Sequence, residues 1–308
     1  MSALSRPEFH DETKAFEHLE SIVWADGKSC PHCGAVDRLT KVTANPAKRI
    51  REGLWRCGHC KGQFTAKIGT VFEHARIPLH KMLQATYLMT SSKKGISAHQ
   101  LHRVLEITYK SAWFLAHRIR EAMASDDLSA FGQGGGIVEV DETFIGRKAG
   151  VPKARAYHHK MKVLALVDRD TGKARTMVVD DVTAATIMPI VKANVAKEAL
   201  VMTDESTIYT KVGAHFAGHG TTNHSAGQYV DYEIPQIHTN TIEGYFSIFK
   251  RGMKGVYQHC SEAHLHRYLA EYEFRYNFRV ANGFNDGDRS KEALKGISGK
   301  RLTYGQTY

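Results

Sequence analysis

IVEVDETFIG (Ile137–Gly146), ALVMTDES (Ala199–Ser206) and IHTNTIEGYFSIFK (Ile237–Lys250) decide how this chain is read. In the first stretch Val138 and Val140 alternate with Glu139 and Asp141, the period of a strand with one buried face, so Asp141 points opposite to Val140. The second is a short apolar run that ends at Asp204. The third reads as a helix. At about 100° per residue, Asn240, Glu243, Ser247 and Lys250 share a sector of roughly 80°, and Ile242, Tyr245, Phe246 and Phe249 take the opposite side. Two carboxylates on neighbouring strands and one on a later helix can gather divalent cations, and a cation pair is what phosphodiester chemistry needs. The competing reading of the helix is an amphipathic element with an ordinary polar face. Glu142 and Glu205 adjoin Asp141 and Asp204 but face away from them, which makes them weaker ligand candidates.

Working outward, Lys162–Asp170 (KVLALVDRD) and Ala174–Val182 (ARTMVVDDV) are strand-like. A helical segment runs from about 184 to 196, and Glu262–Arg279 forms a long amphipathic helix. Strands alternating with helices indicate an α/β core. The polar, Gly-rich Ser125–Gly136 (SDDLSAFGQGGG) reads as a linker before it, and residues 281–308 read as a polar, weakly patterned tail. His215, His219, His224 and His238 gather near the acids in sequence. One of them is a candidate to orient water or touch phosphate, with polar packing as the simpler role for each. Arg147 and Lys148 suit either a DNA backbone or loop solvation.

Cys30-Pro31-His32-Cys33 and Cys57-Gly58-His59-Cys60 are two CxxC turns 23 residues apart. Two such knuckles on facing hairpins complete a closed tetrahedral Zn²⁺ site, which leaves no position open for substrate and is therefore structural. A redox pair or a disulfide framework is the alternative, but a thioredoxin-like site needs one CxxC in a βαβ context that is absent here. His32 and His59 read as exposed turn residues, and Cys260 as a packing thiol. These cysteines define a zinc ribbon within residues 1–76.

Residues 77–126 suit a helix-turn-helix. Ser97 and Gln100 have capping-box spacing, and Thr108 can cap the next helix. In that helix Ala112, Leu115, Ile119 and Met123 repeat at core spacing, and Tyr109, Lys110, Trp113, His117 and Arg120 fall on another face as candidates for DNA contact. The bland alternative is a helical linker with a solvated basic face. Charge favours DNA: the net charge is +10, and residues 1–126 carry 19 Lys and Arg against 12 Asp and Glu. Apolar runs too short for a bilayer, and a start without a secretory pattern, predict a cytoplasmic protein with no membrane partner.

Taken together, these motifs resemble a known family. CPHCG with LWRCGHCKGQFTAKIGTVFE is similar to the zinc ribbon of bacterial insertion-sequence transposases, and VEVDETFIG, the TDE turn and HTNTIEGYFSIFKRGMKGVYQH are similar to their catalytic core. The nearest group is the insertion-sequence fifteen-ninety-five (ISXO-two-like) family, related to the Merlin transposases. The resemblance implies an RNase H-like DDE catalytic domain over residues 127–280, preceded by the ribbon and the helix-turn-helix. It implies Asp141 and Asp204 as the first two acids, Glu243 as the third with Asn240 one turn before it as the alternative, and Lys250 following. It further implies Mg²⁺ or Mn²⁺ at the acids and double-stranded DNA (terminal inverted repeats and target) as partner. A homo-oligomer in the synaptic complex, located at the nucleoid when DNA-bound, completes the expectation. Two rival readings stand beside it: an RNase H-like nuclease without strand transfer, and a zinc-ribbon regulator with an inactive core.

Overall fold

The structure, a computed structural model, describes residues 2–153 and 157–303. The chain divides into two units, one built from the residues up to Ala124 together with those from Phe284 onward, the other spanning Ser125–Gly283. Among the described residues no helix is long and apolar enough to cross a membrane.

In the first unit, helix α1 (Glu12–Val23) starts at Asp11, whose carboxylate accepts the Lys14 N–H, and buries Ala15, Phe16, Leu19 and Ile22. Strands β1 (Leu39–Lys41), β2 (Trp55–Cys57) and β3 (Gln63–Phe64) form an antiparallel sheet in that order. Its apolar cluster is only Cys30, Cys57 and Phe64, with Trp24, Ala35, Leu39, Trp55 and Ile68 against it. So small a core needs a metal to hold it. Three helices follow: α2 (Leu79–Ser91), α3 (Ala98–Leu105) and α4 (Tyr109–Met123). Ser97 Oγ accepts the Gln100 N–H and Thr108 Oγ1 the Ser111 N–H, so both expected caps form. Between α3 and α4, Glu106 takes a left-handed conformation (φ 51°) that turns the chain within three residues. Ala112, Leu115, Ile119 and Met123 are buried, as their spacing predicts.

The expected tail is not featureless. Residues 286–295 form helix α8 (Asp286–Lys295), opened by a full capping box between Asn285 and Asp288. It packs on α1, α2 and α4, and Arg289 Nη1 donates to the Thr90 carbonyl. The residues after it bridge back to the ribbon side, with Val71 N–H donating to Ile297 O. Residues 304–308 of the expected tail lie outside the described residues.

The second unit is built on five strands: β4 (Ile137–Ile145), β5 (Met161–Asp168), β6 (Lys173–Val179), β7 (Leu200–Asp204) and β8 (Gly218–Thr222). Their order is β6-β5-β4-β7-β8. The first three strands are antiparallel neighbours, and β7 and β8 run parallel to β4, the arrangement of an RNase H-like core. Helix α5 (Ala184–Asn194) supplies the parallel crossover, packing Ile187, Met188 and Val191 against Val138, Val140, Leu164 and Leu166. Helices α6 (Asn240–Gly252) and α7 (Glu262–Asn277) cover the other face against Ile145, Val163, Ala165 and Val167.

The Gly-rich stretch expected as a linker belongs to this unit. Phe131 is buried and bridges Val195, Gly132 N–H donates to Asp168, and Arg175 Nη2 donates to the carbonyls of Asp127 and Ser129. Gly132 has φ +72°, and a Cβ there would sit 2.5 Å from that of Ala199, so glycine here serves close packing instead of flexibility.

Candidate active site

The pairing register places the first two acids. β4 and β7 pair in parallel with Ile137 opposite Leu200, Val138 opposite Val201 and Glu139 opposite Met202. Continued two residues, the same register sets Asp141 beside Asp204. Alternation then fixes their face. Val138, Val140 and Val201 lie in the α5-side core, so Glu139, Asp141 and Asp204 point to the α6 side.

Helix α6 completes the arrangement. Ile242, Tyr245, Phe246 and Phe249 are buried against the sheet, as the sequence sectors require, which leaves Glu243 and Lys250 on the less buried side of the helix. The electrostatics report the same proximity. Burial, followed by the charges of Glu142, Asp204 and Glu243, raises the Asp141 carboxyl well above the usual range, and the Glu142 N–H donating to Asp141 Oδ1 at 2.7 Å offsets only part of this. Burial lowers the Lys250 ammonium, with Asp141 and Glu243 opposing the shift. Asn240, the alternative third ligand, is exposed in the first turn of α6.

Glu243 Oε1 lies 3.4 Å from His224 Nε2 and 3.5 Å from Thr239 Oγ1. His224 is therefore the member of the histidine group that reaches the acids. His219 bonds Thr203 Oγ1 at 2.8 Å, and His238 faces Arg169. Glu142 is held on the other side of β4, where the buried Tyr209 hydroxyl donates to it at 2.8 Å. Glu205 turns away too, accepting from Ser225 Oγ and from the N–H groups of His224 and Ser225, which help hold its carboxyl down at about 2. Lys148 pairs with Glu262 at 2.7 Å, and Arg147 donates to the Val151 carbonyl.

Excess buried negative charge on an all-oxygen donor set suits a hard cation such as Mg²⁺ or Mn²⁺. Among the described residues the cysteines form the one group of three or more Cys, His, Asp or Glu with donor atoms gathered closely enough to hold an ion as they stand. A cavity of about 930 Å³, lined by Phe16, Lys67 and His80 among others, lies in the first unit and includes none of these acids.

In the ribbon, Cys30 Sγ and Cys60 Sγ are 3.7 Å apart, as are Cys33 Sγ and Cys57 Sγ. Four thiolates bound about 2.3 Å from one Zn²⁺ stand about 3.8 Å from each other, so the quartet fits tetrahedral zinc. The N–H groups of Cys60 and His59 hold the Cys57 thiol down at about 6, which favours the thiolate that binds metal. A Cβ at Gly62 would come within 2.8 Å of the His32 ring and 3.2 Å of Cys60 Sγ, so a side chain there would press on the second knuckle. His32 Nε2 bonds Gln63 O and His59 Nε2 bonds Asp37, both in exposed turns.

The DNA-contact candidates separate. Tyr109 (44% exposed) and Lys110 are exposed in the first turn of α4, with the Tyr109 ring stacked on His99, and Trp113 is half-buried. His117 is 1% exposed and Arg120 3%, which removes both from the DNA-facing set. A helical face chosen by angular position cannot anticipate that most of α4 beyond its first turn is covered.

Sequence reasoning missed Glu139 and Arg169. Glu139 is fully buried two residues before Asp141, and its carboxylate accepts from Arg169 Nε at 2.6 Å and from the Ile242 N–H at 2.7 Å. The available signal was an acidic residue on the site-facing side of a core strand.

Residues 133–277 match the ISXO2-like transposase domain, and residues 10–63 match the transposase zinc-ribbon domain. The "Uncharacterized protein in transposable element ISH50" of Halobacterium salinarum is 26% identical over 305 residues, covering 94% of this chain and 96% of its own length. A chain in the cryo-EM structure of the simian T-cell lymphotropic virus intasome in complex with PP2A regulatory subunit B56 gamma is 14% identical. It covers 63% of this chain and 65% of its own length, with a TM-score of 0.29, a likeness too low to carry an argument. The two domain matches, in order along one chain and each over its own set of candidate ligands, show that the chain belongs to the ISXO2-like family of zinc-ribbon insertion-sequence transposases.

Proposed function

We propose that this transposase binds the ends of its insertion sequence on double-stranded DNA, hydrolyses a phosphodiester bond to free a 3′-OH, and transfers that 3′-OH to target DNA. The observation that carries the reading is the shared register and face of Asp141 and Asp204, opposite the helix bearing Glu243. Asp141, Asp204 and Glu243 would hold two Mg²⁺ or Mn²⁺ ions, which when bound supply Lewis-acid activation of the phosphate and of the attacking oxygen. The residues themselves do the rest. Asp141, whose carboxyl feels the charges of both Asp204 and Glu243, would be a ligand common to the site. Lys250, two turns along α6 from Glu243, neutralises charge on the phosphate. His224 orients the Glu243 carboxylate through the contact at 3.4 Å. The polypeptide need not be esterified, since water and then the 3′-OH serve as nucleophiles in successive in-line displacements.

The zinc ribbon is a structural module, and with the exposed first turn of α4 it forms the DNA-binding part. Tyr109, Lys110 and Trp113 are the residues assigned to DNA, consistent with recognition helices reading bases from their N-terminal residues. Joining two ends in one complex calls for a homo-oligomer. Pre-cut terminal oligonucleotides with a free 3′-OH test the reading against a simple nuclease. In Mg²⁺ or Mn²⁺ the transposase joins them to a target plasmid, whereas a nuclease yields no joined product.

A further inference from the structure

A buried carboxylate beside the acids has no part in the chemistry above. Glu139 is 0% exposed, and a charge so placed is costly unless it is fully paired. Its partners are specific. Oε1 takes Arg169 Nε at 2.6 Å, and Oε2 takes the backbone N–H of Ile242 at 2.7 Å. Ile242 lies in the first turn of α6, where the N–H groups have no partner within the helix and the helix dipole favours an anion. The rest of the Arg169 fork reaches the same segment. Nη1 donates to Gln236 O at 2.6 Å, and Nη2 donates to His238 O at 2.6 Å and to His238 Nδ1 at 2.8 Å. His238 Nδ1 also lies 3.3 Å from Glu139 Oε1, so the imidazole is held between the carboxylate and the guanidinium.

These bonds converge on residues 236–242, the stretch that delivers α6 to the sheet. Glu139 is two residues from Asp141 on the same face of β4, and Ile242 immediately precedes Glu243. One strand therefore carries both the first acid and the group that fixes the helix of the third. We infer that Glu139 and Arg169 are positioning residues, a clamp that sets the distance and angle of Glu243 relative to Asp141. This rests on the reading of Glu243 as the third metal ligand.

The test is a double-mutant cycle read out by Mn²⁺ binding to the full-length chain, measured by isothermal titration calorimetry, with DNA cleavage as a second readout. Partners that orient a metal ligand change metal affinity about 10–100-fold when removed. Glu139→Gln is expected to weaken Mn²⁺ binding at least about tenfold while zinc content and circular dichroism stay as in the wild type. Glu243→Gln weakens it similarly. The double variant is expected to bind within about threefold of Glu243→Gln alone, because Glu139 acts through Glu243. Two outcomes overturn the clamp: losses that multiply in the double variant, or wild-type Mn²⁺ binding by Glu139→Gln when Glu243→Gln is weakened. Wild-type binding by Glu243→Gln would instead defeat the ligand assignment on which the clamp rests. If Glu139→Gln fails to fold, Arg169→Lys runs the same cycle, since it keeps a cation at Glu139 but cannot span the Gln236 and His238 carbonyls, and the same non-additivity is expected.

Discussion

Asp141→Asn should stabilise the metal-free protein even as it destroys activity. Asp141 is half-buried, and the charges of Glu142, Asp204 and Glu243 all disfavour its ionised form, with the Glu142 N–H as its one favourable hydrogen bond among the described residues. Asparagine keeps the acceptor for that N–H and removes the charge. Burial raises the folded carboxyl above its unfolded value, so between the two values the folded chain holds more protons, and stability falls as pH rises through that interval. The variant lacks this titration. Its advantage is therefore small near pH 4, where the unfolded carboxyl is half-protonated, and grows as pH rises. Replacing buried ionised groups with neutral ones of similar volume stabilises proteins by up to about 1–4 kcal/mol. For a half-buried group the lower part of that range applies, about 1–2 kcal/mol, or roughly 2–8 °C in Tm for a unit of this size. Thermal melts in buffer free of Mg²⁺ and Mn²⁺, with the ribbon zinc left in place, measure it at about pH 4 and about pH 8. Adding Mg²⁺ reverses the ranking, because a ligand that binds the folded state raises its stability and the variant has lost a ligand. An Asn variant less stable than the wild type at pH 8 without Mg²⁺ or Mn²⁺, or equally advantaged at both pH values, would refute the electrostatic account of the site.

Further outcomes follow from the same geometry. Glu243→Gln should lower Mg²⁺-dependent cleavage at least about 100-fold, whereas Asn240→Ala, which alters only an exposed side chain, should stay within about fivefold; the reverse ranking in a single-turnover assay would move the third ligand to Asn240. Cys57→Ser should reduce bound zinc from one per chain to a trace by elemental analysis and abolish binding to terminal DNA, since the ribbon core is too small to fold unaided. Lys110→Ala should weaken DNA binding several-fold and flatten its salt dependence, while Arg120→Ala should change thermal stability in preference to the salt slope.

Much of the catalytic unit could be read before the fold was known, because its strands are apolar runs that alternate or lie wholly buried, and α6 separates cleanly into aromatic and polar sides. Asp141 and Asp204 share one register offset, which sequence distance alone cannot reveal as adjacency. The features that escaped depend on contacts distant in the chain. Glu139 meets partners 30 and 103 positions away, so nothing local marks it. Residues 286–295 make a short polar helix that becomes stable only by docking on α1, α2 and α4, and in sequence they resemble a tail. Ser125–Gly136 has linker composition, yet its glycines serve a tight approach to Ala199. His117 and Arg120 were placed by helical angle, and burial along α4 overrode that assignment.

The most direct measurement of the central claim is strand cleavage and joining on DNA carrying the element's own ends, comparing the wild-type chain with Asp141→Asn and Asp204→Asn in Mg²⁺ and in Mn²⁺. The account predicts that the wild type cuts and joins, and that both variants bind the ends with unchanged affinity and do neither. Retained cleavage by either variant would contradict it.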